Sequence, residues 1–111
     1  MRANRETASL AQTQDNVNDL PALLVAVALH EDDLAWAQAY CLALADHPNE
    51  NVRGNAILGF GHLARRFGTL AEQAKPAIER GLLDASAFVR GQAVASADDV
   101  SQFLGWHFPD N

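Results

Sequence analysis

The chain has 111 residues, a formal charge of −6, one cysteine and 7% aromatic residues. That length makes one domain, an apolar content drawn mainly from Ala and Leu favours packed helices over sheet, and a single cysteine excludes an internal disulfide, as suits an intracellular protein. The longest apolar run, Leu20 to Leu29, is about half of a bilayer crossing, and the first sixteen residues lack the apolar core of a secretion signal, so the expected location is the cytoplasm.

In chain order, residues 1–16 form a polar N-terminal segment, open to disorder, ahead of a helical domain over 17–111. DLPALLVAVALH, from Asp19, is the first expected helix. Asp32 is the expected N-cap of a second, with Leu34, Ala37, Cys41 and Ala45 as its apolar stripe. From Asn49 to Gly68 runs a longer helix: Asn49 can cap it, Gly68 can stop it in the left-handed conformation, and Val52, Ala56, Ile57, Phe60, Leu63, Ala64 and Phe67 recur at three and four. TLAE at Thr69 to Glu72 reads as a capping box opening a fourth helix, kinked at Pro76. Ser86 and Gly105 bracket a fifth, whose face is Val89, Ala93, Val94, Ala97, Val100 and Leu104. The tail GWHFPDN brings Trp106 and Phe108, expected to fold back as a lid.

A shift of 37 residues lays Asn49 on Ser86, Val52 on Val89, Arg53 on Arg90, Gly54 on Gly91, Ala56 on Ala93 and Gly68 on Gly105. It also lays the stripe of Leu34, Ala37, Cys41 and Ala45 on Ala71, Ala74, Ile78 and Leu82. The unit is helix, turn, helix. Carried backwards, the register puts Leu20 under Ile57, which makes residues 19–30 a second helix without its leading partner. Repeats of this length stack so that each buries its neighbour's apolar face. Val52, Arg53 and Ala56, repeated as Val89, Arg90 and Ala93, resemble the HEAT-repeat family. The fold class that follows is all-α, a short α-solenoid of about five helices in about two and a half HEAT-like hairpins. The resemblance implies that Arg53 and Arg90 tie units together through a carboxylate or a loop carbonyl. Gly59 and Gly61 depart from it: each costs a helix about 1 kcal/mol against Ala, so close packing by a neighbour or a partner is required there.

Chemistry is hard to find. His30, His47, His62 and His107 offer no pair at metal-ligand spacing, Cys41 falls on a core position, and adjacent carboxylates on one helix diverge by about 100°. No catalytic residue, metal or cofactor is expected, and the reading is non-enzymatic.

The charge is uneven: residues 17–50 hold Asp19, Glu31, Asp32, Asp33, Asp46 and Glu50 without a single Lys or Arg. Such a surface repels nucleic acid and anionic membrane and steers towards basic partners. LHEDDLAWAQAYCLALADHPNENVRGNAILGFGHLARR is similar to the helical immunity proteins that neutralise bacterial nuclease toxins, contact-dependent growth inhibition systems included. That similarity implies a cognate basic toxin domain as partner, with Glu31, Asp32, Asp33, Asp46 and Glu50 standing in for phosphates, and a chain that is a monomer or weak dimer when free. The alternative is a HEAT-like scaffold or regulatory subunit. It would dock a protein or peptide through the polar face of the trailing helices, at Asn55, His62, Arg66, Gln92 and Asp99.

Overall fold

The computed structural model describes residues 4–109. Six helices follow one another: α1 (Arg5–Thr13), α2 (Leu20–His30), α3 (Leu34–Leu44), α4 (Glu50–Phe67), α5 (Ala74–Leu82) and α6 (Ala87–Leu104). Among the described residues there is no strand, and no helix is long and apolar enough to cross a membrane.

The 37-residue register governs the two long helices. Asn49 accepts the backbone N–H groups of Asn51 and Val52, Ser86 accepts that of Val89, and Gly68 and Gly105 end their helices at φ 70° and 72°. These are the conformations that a short polar cap and a residue without Cβ make cheap. α4 lies at the centre, with α2 along one flank, α6 along the other, and α3 and α5 packed against it. Its Val52, Ile57, Phe60 and Leu63 meet a core that includes Leu20 and Leu24 of α2, Ile78 of α5, and Val89 and Val100 of α6, each 1% exposed or less. Each large side chain so buried contributes about 1.5–3 kcal/mol of transfer free energy.

Gly59 and Gly61 let α4 be flanked this closely. A Cβ on Gly59 would stand 2.8 Å from Cys41 Sγ and 3.5 Å from Ala28 Cβ, and one on Gly61 would stand 3.1 Å from Ser96 Cα. The two glycines therefore serve internal neighbours on opposite flanks, α2 and α3 on one and α6 on the other.

Among the described residues the helices number six, not five, because the polar N-terminal segment supplies α1. Asn4 caps it by accepting from the N–H groups of Glu6 and Thr7, and Ala8 and Ala11 turn inward. Trp36 and Tyr40, stacked at 5.2 Å between ring centroids, provide the seat: the Tyr40 hydroxyl donates to the Ala8 carbonyl at 2.9 Å, and the Arg5 guanidinium lies 5.4 Å from the centre of the Trp36 ring. The helices thus follow as three hairpins, α1–α2, α3–α4 and α5–α6.

Other expectations shift locally. Asp33, not Asp32, caps α3: it has extended backbone angles and accepts the Trp36 N–H. The Thr69–Glu72 capping box does not form. Leu70 turns into the core and the Ala71 N–H donates to Gln38 Oε1 at 2.9 Å, so α5 begins only at Ala74. Pro76 then falls in the first turn, where no N–H is needed, and it kinks nothing. Val94, placed by the register on the core face, is instead 45% exposed. The tail does fold back: Phe108 is buried and Trp106 half-buried against the core.

Candidate binding surface

The junctions between hairpins carry the most constrained polar chemistry. Arg53 donates from Nε and Nη2 to the two oxygens of Asp84, at 2.7 and 2.8 Å, and from Nη1 to the carbonyls of His47 and Pro48 at 2.9 and 3.2 Å. Arg90 repeats the second half of this pattern on the carbonyls of Asp84 and Ala85, at 2.7 and 3.0 Å. Asp84 and His47 are themselves 37 residues apart, and each accepts the N–H of the N-cap residue two positions on: Asp84 from Ser86, His47 Nδ1 from Asn49. His47 Nδ1 is therefore unprotonated, and its Nε2–H turns to Asp15 in the α1–α2 connection. The earlier junction thus reverses the polarity of the later one, with the acid on the preceding hairpin. Arg53, hydrogen-bonded to its carboxylate, holds Asp84 below the ordinary carboxylate value.

The acidic segment is matched in the fold by arginines from outside it. Glu31, only 7% exposed, takes Nε and Nη2 of Arg5 at 2.8 and 2.9 Å and also accepts the Asp33 N–H at 2.8 Å. The Arg5 hydrogen bond, followed by that N–H, lowers its pKa from 4.5 to about 2. Asp33 is reached by the same Arg5, Asp32 Oδ1 lies 3.9 Å from Arg66 Nη2, and Asp46 pairs with Arg80 at 3.2 Å. Glu50 accepts the Ser86 hydroxyl. Asp32 and Asp33 open α3 while Asp46 and Glu50 follow its far end, about 16 Å away along a helix of that length. These five acids do not converge.

The polar row does better. Arg65 Nη2 donates to His62 Nδ1 at 2.9 Å, and its Nη1 lies 3.7 Å from Asp99 Oδ2, so His62, Arg65 and Asp99 form one cluster across the α4–α6 seam. Burial, reinforced by the Arg65 charge and opposed by Asp99, lowers the His62 pKa below 6.5. The ring is thus neutral at pH 7, with its proton on Nε2. Near the start of the seam Phe88 lies over Gly54 beside Gln92, and Asn55 donates to the Asn51 carbonyl. Arg66 belongs elsewhere. Its Nη1 and Nη2 donate to the carbonyls of Ala28 and Glu31 at 2.7 and 2.9 Å, closing the C-terminal end of α2, where a cation is favoured.

The surface over the α4–α6 seam therefore carries a neutral imidazole donor, a cation, a carboxylate and two amides, flanked by Phe88 and Phe103 at 39% and 42% exposure. Exposed aromatic groups interspersed with polar ones are the material of protein interfaces. Cys41 is fully buried and its thiol is pushed up to about 12 by that burial, which leaves it inert. Among the described residues no three His, Cys, Asp or Glu side chains come together as metal ligands. Arg5, Asp84 and Asp15 escape a reading by composition; only the 37-residue offset from His47 could have drawn attention to Asp84. Compared with protein-family models, with curated proteins and with solved structures, the chain matches none.

Proposed function

We propose that this chain is a short HEAT-like stack of three helical hairpins that acts as a protein-binding module without enzymatic activity, and that it recognises its partner over the α4–α6 seam. The observation that carries the reading is the His62–Arg65–Asp99 cluster, with Phe88 and Gln92 at the start of the same seam. It gathers hydrogen-bonding groups and aromatic area on rigid helices, apart from the Arg53–Asp84 bond at the hairpin junction. The arginines opposite Glu31, Asp32, Asp33 and Asp46 favour this docking mode over phosphate mimicry, since a paired carboxylate projects little field.

Immunity to a basic nuclease toxin is the second reading. Its support is narrower: Asp32 and Asp46 remain 75% and 69% exposed at two edges of α3, where they could meet a basic surface spanning both. The two readings part on one experiment. The partner is captured from the native host by the full chain, and its binding is then measured with His62→Ala/Asp99→Ala and with Asp32→Lys/Asp46→Lys. The seam reading expects the first pair to weaken binding at least about tenfold and the second to change it little, with an association rate nearly indifferent to salt. The opposite pattern, with association slowed steeply by salt, supports the toxin reading and removes the seam.

A further inference from the structure

α1 is held unlike any other helix of the fold. Among the described residues it packs against α2 alone, whereas α2 to α6 each pack on more than one other helix. Its side chains put little into the core: Ala8 and Ala11 are buried, while Leu10, the one large apolar residue of the helix, is 56% exposed. Burial stabilises in proportion to apolar area, and two methyl groups supply little of it. A helix of nine residues is also too short to persist by itself in water.

What seats α1 is a short series of polar and aromatic contacts. At its start Arg5 lies two-pronged on Glu31, reaches Asp33 and covers the Trp36 ring. In its middle the Tyr40 hydroxyl donates to the Ala8 carbonyl, and beyond its end Asp15 meets His47 Nε2. Arg5 and Asp33 are 46% and 47% exposed, so water and salt compete for that part of the clasp.

The turn that follows α1 is strained. Asp15 is the one described residue other than glycine with a positive φ, 51°, where a Cβ crowds the backbone. The last turn of α1 closes around it, with the Asp15 N–H on the Gln12 carbonyl and the Asn16 N–H on that of Ala11. Such a conformation persists only where the surroundings fix it, and it relaxes when they let go. The remaining helices need no such help: α4 is packed against α2, α3, α5 and α6, and Arg53 with Asp84 joins the last two hairpins.

We infer that α1 is a latch. It leaves α2 and α3 as one unit, turning about Asp15, while α2 to α6 stay folded, and its departure uncovers the Tyr40 ring and the Glu31 carboxylate, which are 4% and 7% exposed while it is closed. A segment with few buried apolar contacts opens at lower free energy than the core it rests on. The latch is independent of the binding role assigned to the α4–α6 seam, since α1 packs on neither of those helices.

Amide hydrogen exchange of the full chain, followed by NMR at rising urea concentrations too low to unfold it, tests this. In the wild type the amides of residues 9–13 are protected, yet they exchange at least about a hundredfold faster than those of residues 60–64 in α4, with a weak urea dependence because the opening exposes little surface. In Arg5→Ala/Tyr40→Phe the α1 amides exchange nearly as an unfolded chain does, while α4 and α6 stay protected by at least about a hundredfold. Three results overturn the inference: α1 amides that share the rate and urea dependence of α4, α1 amides without protection in the wild type, or a double variant in which α1 keeps its protection. If the double variant unfolds throughout because Glu31 is left unpaired, Tyr40→Phe alone decides. Exchange about severalfold faster in α1 supports the latch, and unchanged exchange there removes it.

Discussion

Arg53 and Asp84 meet across the junction of the second and third hairpins in a two-pronged bond, with 19% and 15% of their side chains exposed. Asp84 at the same time orders the N-terminus of α6 through the Ser86 N–H, so one carboxylate both joins the hairpins and starts a helix. Removing one partner leaves the other poorly solvated. Arg53→Ala is therefore expected to cost about 2–3 kcal/mol in urea unfolding. Arg53→Lys should recover little of it, because an ammonium cannot span both oxygens. Arg90→Ala, which loses only bonds to the carbonyls of its own loop, should cost less than about 1 kcal/mol. Equal losses at the two arginines would contradict the junction role.

Three glycines separate helix propensity from packing. Ala at any of them gains about 1 kcal/mol of propensity. At Gly91, where the space is open, that gain should appear as added stability. At Gly59 and Gly61 the new methyl meets Cys41 Sγ and the Ser96 backbone, neither of which is the loose end of a flexible side chain. Overpacking of about 1–3 kcal/mol then outweighs the propensity, so both variants should unfold at lower urea than the wild type.

These contrasts also mark how far the sequence could be read. Caps, stops and the long helices α4 and α6 were legible because Asn49, Ser86, Gly68 and Gly105 act locally, through their own backbone angles. The start of α5 was not. Its capping box is overridden by Leu70, whose burial is a tertiary matter, and by the long-range bond from the Ala71 N–H to Gln38. α1 was missed for a similar reason: its seat is made by Trp36, Tyr40 and Glu31, between two and three dozen residues away. The site suffered most. A run of acids without bases reads as a charged face, but Arg5, Arg66 and Arg80 come from elsewhere in the chain to meet it. His62 and Asp99 were named from the register alone, and Arg65, which joins them, was not among the residues named for the polar face.

Ser96 lies fully buried against Gly61, and its hydroxyl oxygen has no hydrogen-bond partner among the described residues. An unsatisfied buried hydroxyl costs about 1–3 kcal/mol of desolvation, so Ser96→Ala should leave stability unchanged or raise it by about 1 kcal/mol. A loss above about 1 kcal/mol in thermal or urea unfolding would mean that the hydroxyl has a partner in solution.

The Glu31 carboxyl supplies a pH dependence of definite sign. Its pKa is lowered on folding, from 4.5 to about 2, by the Arg5 hydrogen bond and the Asp33 N–H. The stabilisation is complete above the unfolded value and is lost as pH falls through the folded one. The difference in urea midpoint between the wild type and Glu31→Gln should therefore be constant near neutrality and shrink between about pH 4.5 and about pH 2. A difference that grew on acidification would contradict the pairing.

The central claim is that a partner protein is bound over the α4–α6 seam. Amide hydrogen exchange of the full chain, free and in complex with the captured partner, tests it most directly. The account predicts new protection along Asn51–Arg65 and Phe88–Phe103, with the α2–α3 and α3–α4 connections unchanged; protection confined to Glu31–Asp33 and Asp46–Glu50 would contradict it.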